Sequence, residues 1–215
     1  MDGQMAGVAA GAAARRGVAS AAGRVVAFLG PDGAGKSTAI AALRQRLVAR
    51  GTAVRSYHWR VPWQPASGDG DMVNNPHGRP LKGLLASVAQ VGFHLLTAWP
   101  AWWRHVAPAR RQGEWILLDR CFLDLLCDPR RYRCGAPRWL ARAAAALMPR
   151  ADRLVVLHAP PEVIRARKRE VEPDELLRQL EAYRACGQAC GGILIDSADA
   201  PEVVACRVAS AVGLT

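Results

Sequence analysis

Short apolar runs alternate with longer, more polar segments along most of the chain. Four of five such runs are rich in Val, Ile and Leu with little alternation, which is typical of strands buried on both faces of a parallel sheet. The five runs are residues 24–29, 52–58, 115–119, 153–158 and 192–196. The segments between them favour helices at residues 37–50, 81–98, 137–147, 161–170, 173–186 and 200–212. The alternation predicts a three-layer α/β fold with helices on both faces of the sheet.

Length and composition indicate one domain after a short tail. The chain has 215 residues, of which 51% are apolar, enough to bury a core. Residues 1–22 are rich in Ala and Gly, and no long apolar run follows a basic start, which argues against a secretory signal. We predict a disordered tail over 1–22 and a single domain over 23–215. The six cysteines match no common zinc spacing, which favours free thiols in the cytoplasm.

One uncharged segment, residues 83–103, approaches the length of a membrane span. It contains Gln90, His94 and Pro100, so we predict a mostly buried helix that breaks near Pro100. Its tryptophans, beside Arg104, resemble an interfacial anchor. Contact with a membrane surface is therefore the less favoured alternative.

The formal net charge is +11, with 29 Lys and Arg against 18 Asp and Glu. A basic balance suits anionic partners but does not choose among them, and an arginine-rich composition is also typical of GC-rich genomes. The chain shows no basic–aromatic repeat and no known nucleic-acid-binding module, so we predict no nucleic-acid partner.

The segment "GPDGAGKS", residues 30–37, fits the phosphate-binding pattern G-x-x-x-x-G-K-[ST] and lies between a predicted strand and a predicted helix. Glycines let backbone N–H groups surround a phosphate, and the helix N-terminus adds partial positive charge. Lys36 supplies a charge for the β- and γ-phosphates, and the Ser37 hydroxyl suits Mg²⁺. We expect this P-loop to bind ATP with magnesium. The predicted binding residues are Gly30, Asp32, Gly33, Ala34, Gly35, Lys36, Ser37 and Thr38.

A second set of candidates follows the third predicted strand, which ends in Asp119 and Arg120. Asp119 is placed to meet magnesium or the acceptor hydroxyl, and Arg120 to hold an acceptor phosphate or carboxylate. The segment 59–80 is too long and too rich in Pro and Gly for an ordinary connection, so we predict an acceptor loop there. The predicted acceptor-binding residues are His58, Arg60, His77, Arg120, Arg130 and Arg131, and Trp59 or Trp63 offers a ring for stacking.

The chain lacks the N-K-x-D of GTP switches and is short for a motor, which favours a kinase with a small acceptor. "FLGPDGAGKST", the later "DR" and the basic helix after "LVVLHAPPEV" resemble the thymidylate kinase family of P-loop kinases. The resemblance implies a five-stranded parallel sheet in the order 2-3-1-4-5 and a lid over about 162–173. It implies a lid arginine that stabilises charge in the transition state. The catalytic candidates are Asp32, Lys36, Asp119, Arg120, Arg165 and Arg169.

The chain also departs from that family. Leu29 stands where an acidic residue is usual, and Cys121 follows the DR in place of an aromatic residue. "YHWRVPWQP" and "NNPHGRP" are similar to thymidylate-kinase-like proteins found with bacterial cell-surface polysaccharide genes. We therefore expect a phosphotransferase acting on a nucleoside monophosphate such as dTMP, with a sugar or glycan terminus as the alternative acceptor. A non-catalytic nucleotide-binding regulator is a third hypothesis, and a homodimer stays open.

Overall fold

The computed structural model describes residues 23–59, 64–65, 80–168 and 171–214. Within these ranges six strands form one sheet. They are β1 (Val25–Leu29), β2 (Val54–His58), β3 (Gln64–Pro65), β4 (Trp115–Asp119), β5 (Arg153–His158) and β6 (Ile193–Asp196). All five predicted strands are present, with bounds that differ from the prediction by two residues at most.

The strand order is β3-β2-β4-β1-β5-β6. Neighbouring strands are parallel, except that β2 and β3 are antiparallel. If β3 is left out and the five parallel strands are numbered along the chain, their order across the sheet is 2-3-1-4-5, which confirms the predicted sheet. The two-residue β3 extends its edge from within the predicted acceptor loop. Residues 60–63 and 66–79 of that loop lie outside the described residues.

Helices follow the strands in the predicted alternation. They are α1 (Lys36–Ala49), α2 (Leu84–Ala101), α3 (Ala107–Arg111), α4 (Asp124–Cys127), α5 (Arg138–Leu147), α6 (Pro161–Arg167), α7 (Pro173–Ala189) and α8 (Pro201–Ala211). The helices α6, α7 and α8 each begin with a proline, whose missing N–H and fixed φ suit the first helical position. The short α3 and α4 were not predicted.

The helices cover the sheet on both faces, as predicted. On one face, α1 and α8 pack through residues such as Leu43 and Val208 against Phe28 and Leu157 of the strands. On the other face, the region from α2 to α3, together with α4 and α7, covers alternate strand residues such as Ala27. The central strands are buried throughout, which explains why they show no alternation in the sequence.

The prediction of a mostly buried helix broken near Pro100 was wrong. The chain stays helical from residue 84 to residue 111, and a π-helical turn, Trp102–Val106, joins α2 to α3 just after Pro100. A local wide turn of this kind lets a helix continue where proline removes one hydrogen-bond donor. By length and composition alone this helix could cross a membrane, yet only 17% of its most apolar 18-residue window is buried. Its C-terminal part, from Trp102 to Ala109, packs against the sheet. The longer part, α2, packs through Val91 against α5 and the segment after β4, and large apolar side chains occupy its outer side.

Two helical glycines give a matched test of the packing around α7. A Cβ on Gly187 would lie 2.9 Å from Cγ2 of Val156, whereas a Cβ on Gly92 of α2 would have nothing within 4 Å. Overpacking costs about 1–3 kcal/mol, and alanine favours a helix over glycine by about 1 kcal/mol. We expect Gly187→Ala to lower the free energy of unfolding by about 1 kcal/mol, and Gly92→Ala to raise it by about 0.5–1 kcal/mol. Urea unfolding of both variants measures these changes in the free energy of unfolding. An increase for Gly187→Ala would contradict the close packing of α7 against Val156.

Candidate functional site

The P-loop joins β1 to α1 at the carboxyl edge of the sheet. Gly30 and Gly33 have φ values of 143° and 86°, a backbone region that residues with a Cβ rarely adopt. A Cβ on Gly30 would also lie 2.4 Å from the carbonyl oxygen of Leu157. Gly35 has a φ of 82° as well, so all three glycines of the loop are required by the local geometry, and the loop wraps tightly over the end of β1.

Lys36 is buried inside this loop, with 7% of its surface exposed. Its Nζ donates to the carbonyl oxygens of Gly30 and Pro31, at 2.8 Å each, and lies 3.8 Å from Oδ1 of Asp32. Burial lowers the pKa of Lys36 to about 8, aided by Arg120, while nearby aspartates oppose the shift. At neutral pH the loop therefore still encloses a cation whose partners are mainly backbone carbonyls, which an anionic ligand can replace.

Asp32 lies at the centre of a cluster of cations. Arg120 and Arg131 each donate to one of its carboxylate oxygens, and Lys36 approaches from within the loop. Burial alone would raise the pKa of Asp32, but these three cations hold it well below its usual range. The carboxylate is therefore ionised, and it links the P-loop to the segments that follow β4.

Arg120 is buried and belongs to a larger network. It adopts a φ of 70° directly after β4, and its Nη1 donates to both oxygens of Asp124, at 2.8 and 2.7 Å. The hydroxyls of Tyr132 and Tyr183 donate to the same carboxylate, at 2.6 Å each. Burial raises the pKa of Asp124, yet Arg120 and the tyrosines keep it below its ordinary value. Arg120 thus connects β4 to the P-loop, α4 and α7. All of these contacts are within the protein, whereas the sequence predicted that Arg120 would bind the acceptor.

Asp119 and His58 end the neighbouring strands β4 and β2, where they are paired in register. His58 Nε2 lies 4.0 Å from Oδ2 of Asp119. The other oxygen, Oδ1, is buried and has no hydrogen-bond partner among the described residues. A buried carboxylate oxygen with unused capacity beside the P-loop is chemically suited to a metal ion or an acceptor hydroxyl.

The end of α6 lies directly against the P-loop. A Cβ on Gly33 would be 3.1 Å from Cγ2 of Ile164, and a Cβ on Gly35 would be 3.9 Å from Nη1 of Arg167. The predicted lid region therefore contacts the loop, and Arg167 is the arginine that lies beside it. Arg165 is exposed, and Arg169 lies outside the described residues.

The remaining predicted residues fall into three groups. Arg60, His77 and Trp63 lie outside the described residues. Arg130 is exposed and pairs with Glu175 at 3.3 Å, whereas Arg131 is 21% exposed and its buried Nε has no hydrogen-bond partner among the described residues. Within the P-loop itself, Ala34 is buried, and Ser37 and Thr38 are exposed at the start of α1.

The suggested stacking role of Trp59 was wrong. This ring is 4% exposed and packs against His94, Phe122 and Tyr132, with ring centroids 5.4–5.7 Å apart. It therefore belongs to the core beneath the site and offers no open face to a sugar or a base.

Sequence reasoning missed Asp124 and Tyr183, and within the predicted lid it named Arg165 and Arg169 as candidates instead of Arg167. The i,i+4 spacing of Arg120 and Asp124 was a signal for the first of these. Nothing in the sequence links Tyr183 to a residue 63 positions earlier.

Comparison with known proteins adds no assignment to these residues. No protein-family model matches the chain, and a search of curated proteins found no significant match.

The network around Arg120 predicts a large stability effect. Asp124→Asn removes the charge that compensates a buried guanidinium, and breaking such a pair costs about 3–5 kcal/mol. Asp199→Asn is the matched control, because Asp199 pairs with Arg207 on the surface, where a pair contributes about 1 kcal/mol or less. We expect a loss of about 3 kcal/mol in the free energy of unfolding for the first variant only. Urea unfolding measures both values. If Asp124→Asn and Asp199→Asn lowered the free energy of unfolding equally, the buried network would not be what holds the site together.

Proposed function

We propose that this protein is an ATP-dependent phosphotransferase that acts on a small acceptor. The observation that carries the proposal is a buried lysine inside a glycine-rich loop, with an aspartate at the end of the adjacent strand. Together these residues can hold a triphosphate and place an acceptor beside it. When bound, ATP with magnesium would supply the phosphoryl group and shield its charge.

The chain's own residues divide this work. The loop's N–H groups and Lys36 would hold the β- and γ-phosphates, and the hydroxyl of Ser37 would face the metal. The uncompensated oxygen of Asp119 fits the same metal or the acceptor hydroxyl. Transfer of a phosphoryl group needs positioning and charge stabilisation more than covalent chemistry, so these groups suffice.

Arg131 is better placed than Arg120 to hold the anionic group of the acceptor. The Nη atoms of Arg120 are engaged by Asp32, Asp124 and Tyr183 inside the protein. Arg131 donates to Asp32 through Nη2, and its Nε lies 3.7 Å from Asp128 without a hydrogen-bond partner among the described residues. Its side chain is 21% exposed, against 3% for Arg120. We therefore assign the anion-binding role to Arg131, and a positioning role to Arg120.

The default acceptor is a nucleoside monophosphate such as dTMP, because the P-loop and the DR resemble those of thymidylate kinases. One observation favours a sugar or a glycan terminus as the second candidate. The polar pair His58 and Asp119, with Nε2 and Oδ2 4.0 Å apart, lies at the edge of the site. Polar groups of this kind suit an acceptor rich in hydroxyls.

An acceptor panel tests the activity. We expect Mg²⁺-dependent ADP release with dTMP or with a sugar, measured across the nucleoside monophosphates and several free sugars. Lys36→Ala should lower kcat about 100-fold or more, because the loop loses its charge. Lys82→Ala is the control, since Lys82 lies outside the site. ATP binding without turnover on any acceptor would favour the regulatory hypothesis, and equal turnover in Lys36→Ala would refute the proposal.

A comparison of two arginines identifies the residue that stabilises the transferring phosphoryl group. We expect Arg167→Ala to lower kcat about 100-fold or more, because its guanidinium lies beside the P-loop. Arg165→Ala should have a much smaller effect, and Arg184→Ala on α7 serves as an exposed control. A larger loss in Arg165→Ala than in Arg167→Ala would return the role to Arg165, one of the two lid arginines predicted from the sequence.

A further inference from the structure

The exposed side of α2 and of the π-helical turn after it carries an apolar stripe. We define the apolar stripe as Leu85, Phe93, Leu96, Trp99 and Trp103, whose exposed fractions range from 43% to 85%. Their spacing of three, four or eight residues places them on one side of the helix. At 1.5 Å per residue the stripe is about 27 Å long. This is far more apolar surface than isolated exposed side chains usually form.

The neighbouring helix α5 widens this surface. Its Trp139 and Leu147 are 68% and 62% exposed. Nε1 of Trp99 donates to the carbonyl oxygen of Leu147 at 2.8 Å, so the two helices are held side by side. The stripe and these two residues together form what we call the apolar face.

The charge around the apolar face has one sign. Residues 83–113 and 129–151 contain no Asp or Glu. Arg104, Arg138 and Arg142 are exposed there and have no ion-pair partner among the described residues. The face therefore combines exposed apolar rings with uncompensated positive charge.

We propose that the apolar face docks on the surface of a lipid bilayer that contains anionic lipids. Tryptophan beside arginine is suited to the boundary between acyl chains and headgroups, and each arginine near an anionic surface adds to the attraction. A second copy of the chain would cover the apolar rings but would bring two uncompensated basic surfaces together. A bilayer satisfies both the apolar and the basic groups. The proposal is independent of the phosphotransferase activity.

A cavity between α5, α7 and the sheet also fits lipid better than a second folded chain. Its volume is about 720 Å³, and its walls are mostly apolar, with Arg138, Arg142 and Arg150 as their only charged residues within the described ranges. An acyl chain can enter such a space while its phosphate meets the arginines. The rigid surface of a partner protein would leave it unfilled.

The helix lies along the bilayer rather than across it. Its opposite side is buried against the domain through residues such as Val91, Ala98 and Val106. Gln90 on that side donates to the carbonyl oxygen of Tyr132 at 2.9 Å. Spanning would expose these polar contacts to hydrocarbon and strip the core of one face of the sheet.

Vesicle flotation of the full chain tests the proposal. We expect binding to vesicles of phosphatidylcholine mixed with phosphatidylglycerol, at least about tenfold weaker binding to phosphatidylcholine alone, and weakening by salt. Leu96→Glu should weaken binding about tenfold or more, since it places a charge at the centre of the stripe. Leu177→Glu, an exposed leucine on α7, should leave it unchanged. Circular dichroism checks that each variant is folded.

Two further outcomes separate the alternatives. Arg138→Gln with Arg142→Gln should weaken binding more than Arg44→Gln with Arg50→Gln, which removes the same charge from α1 and its C-terminal end. Equal losses, or full binding by Leu96→Glu, would mean that net charge alone attracts the protein, and would overturn the proposal. A dimer in light scattering that Leu96→Glu dissociates, without vesicle binding, would overturn it in favour of a second copy.

Discussion

The buried guanidinium of Arg120 is the constraint on which the candidate site depends. Asp32 of the P-loop holds it on one side, and Asp124 of α4 holds it on the other. A buried arginine that loses a carboxylate partner costs several kcal/mol, so the three segments can pack together only around an ionised pair of aspartates. The P-loop is thus fixed to the neighbouring strand through its own aspartate, and not only through the glycines that shape it.

The sheet could be predicted because its physical cause is local in sequence. A strand buried on both faces needs apolar residues at every position, and the run "VVAFL" of β1 reads that way without any knowledge of its neighbours. The P-loop could be predicted equally well, since its glycines and lysine must occupy fixed positions within eight residues. Prolines marked the first residues of α6, α7 and α8 for a similar reason.

The rest of the site depends on residues that are distant in sequence. Tyr183 of α7 contacts Arg120, and no local sequence pattern predicts a partner 63 positions away in the chain. The prediction that α2 is mostly buried failed for another reason. An uncharged apolar helix has the same sequence pattern whether a second layer covers it or not. Here α5 and the segment after β4 cover one side of α2 only, and the outer side is left with Leu85, Leu96 and the tryptophans.

The apolar face and the P-loop are joined through one tyrosine. Gln90 of α2 donates to the backbone of Tyr132, and the hydroxyl of Tyr132 donates to Asp124, which binds Arg120 and, through it, Asp32. Each step is a direct hydrogen bond or ion pair between elements packed on the same side of the sheet. A chain held at a bilayer by α2 would therefore hold its P-loop at a set orientation to that surface. Tyr132 thus contacts α2 through its backbone carbonyl and the Arg120 network through its hydroxyl, which makes it one of the contacts that couple the two regions.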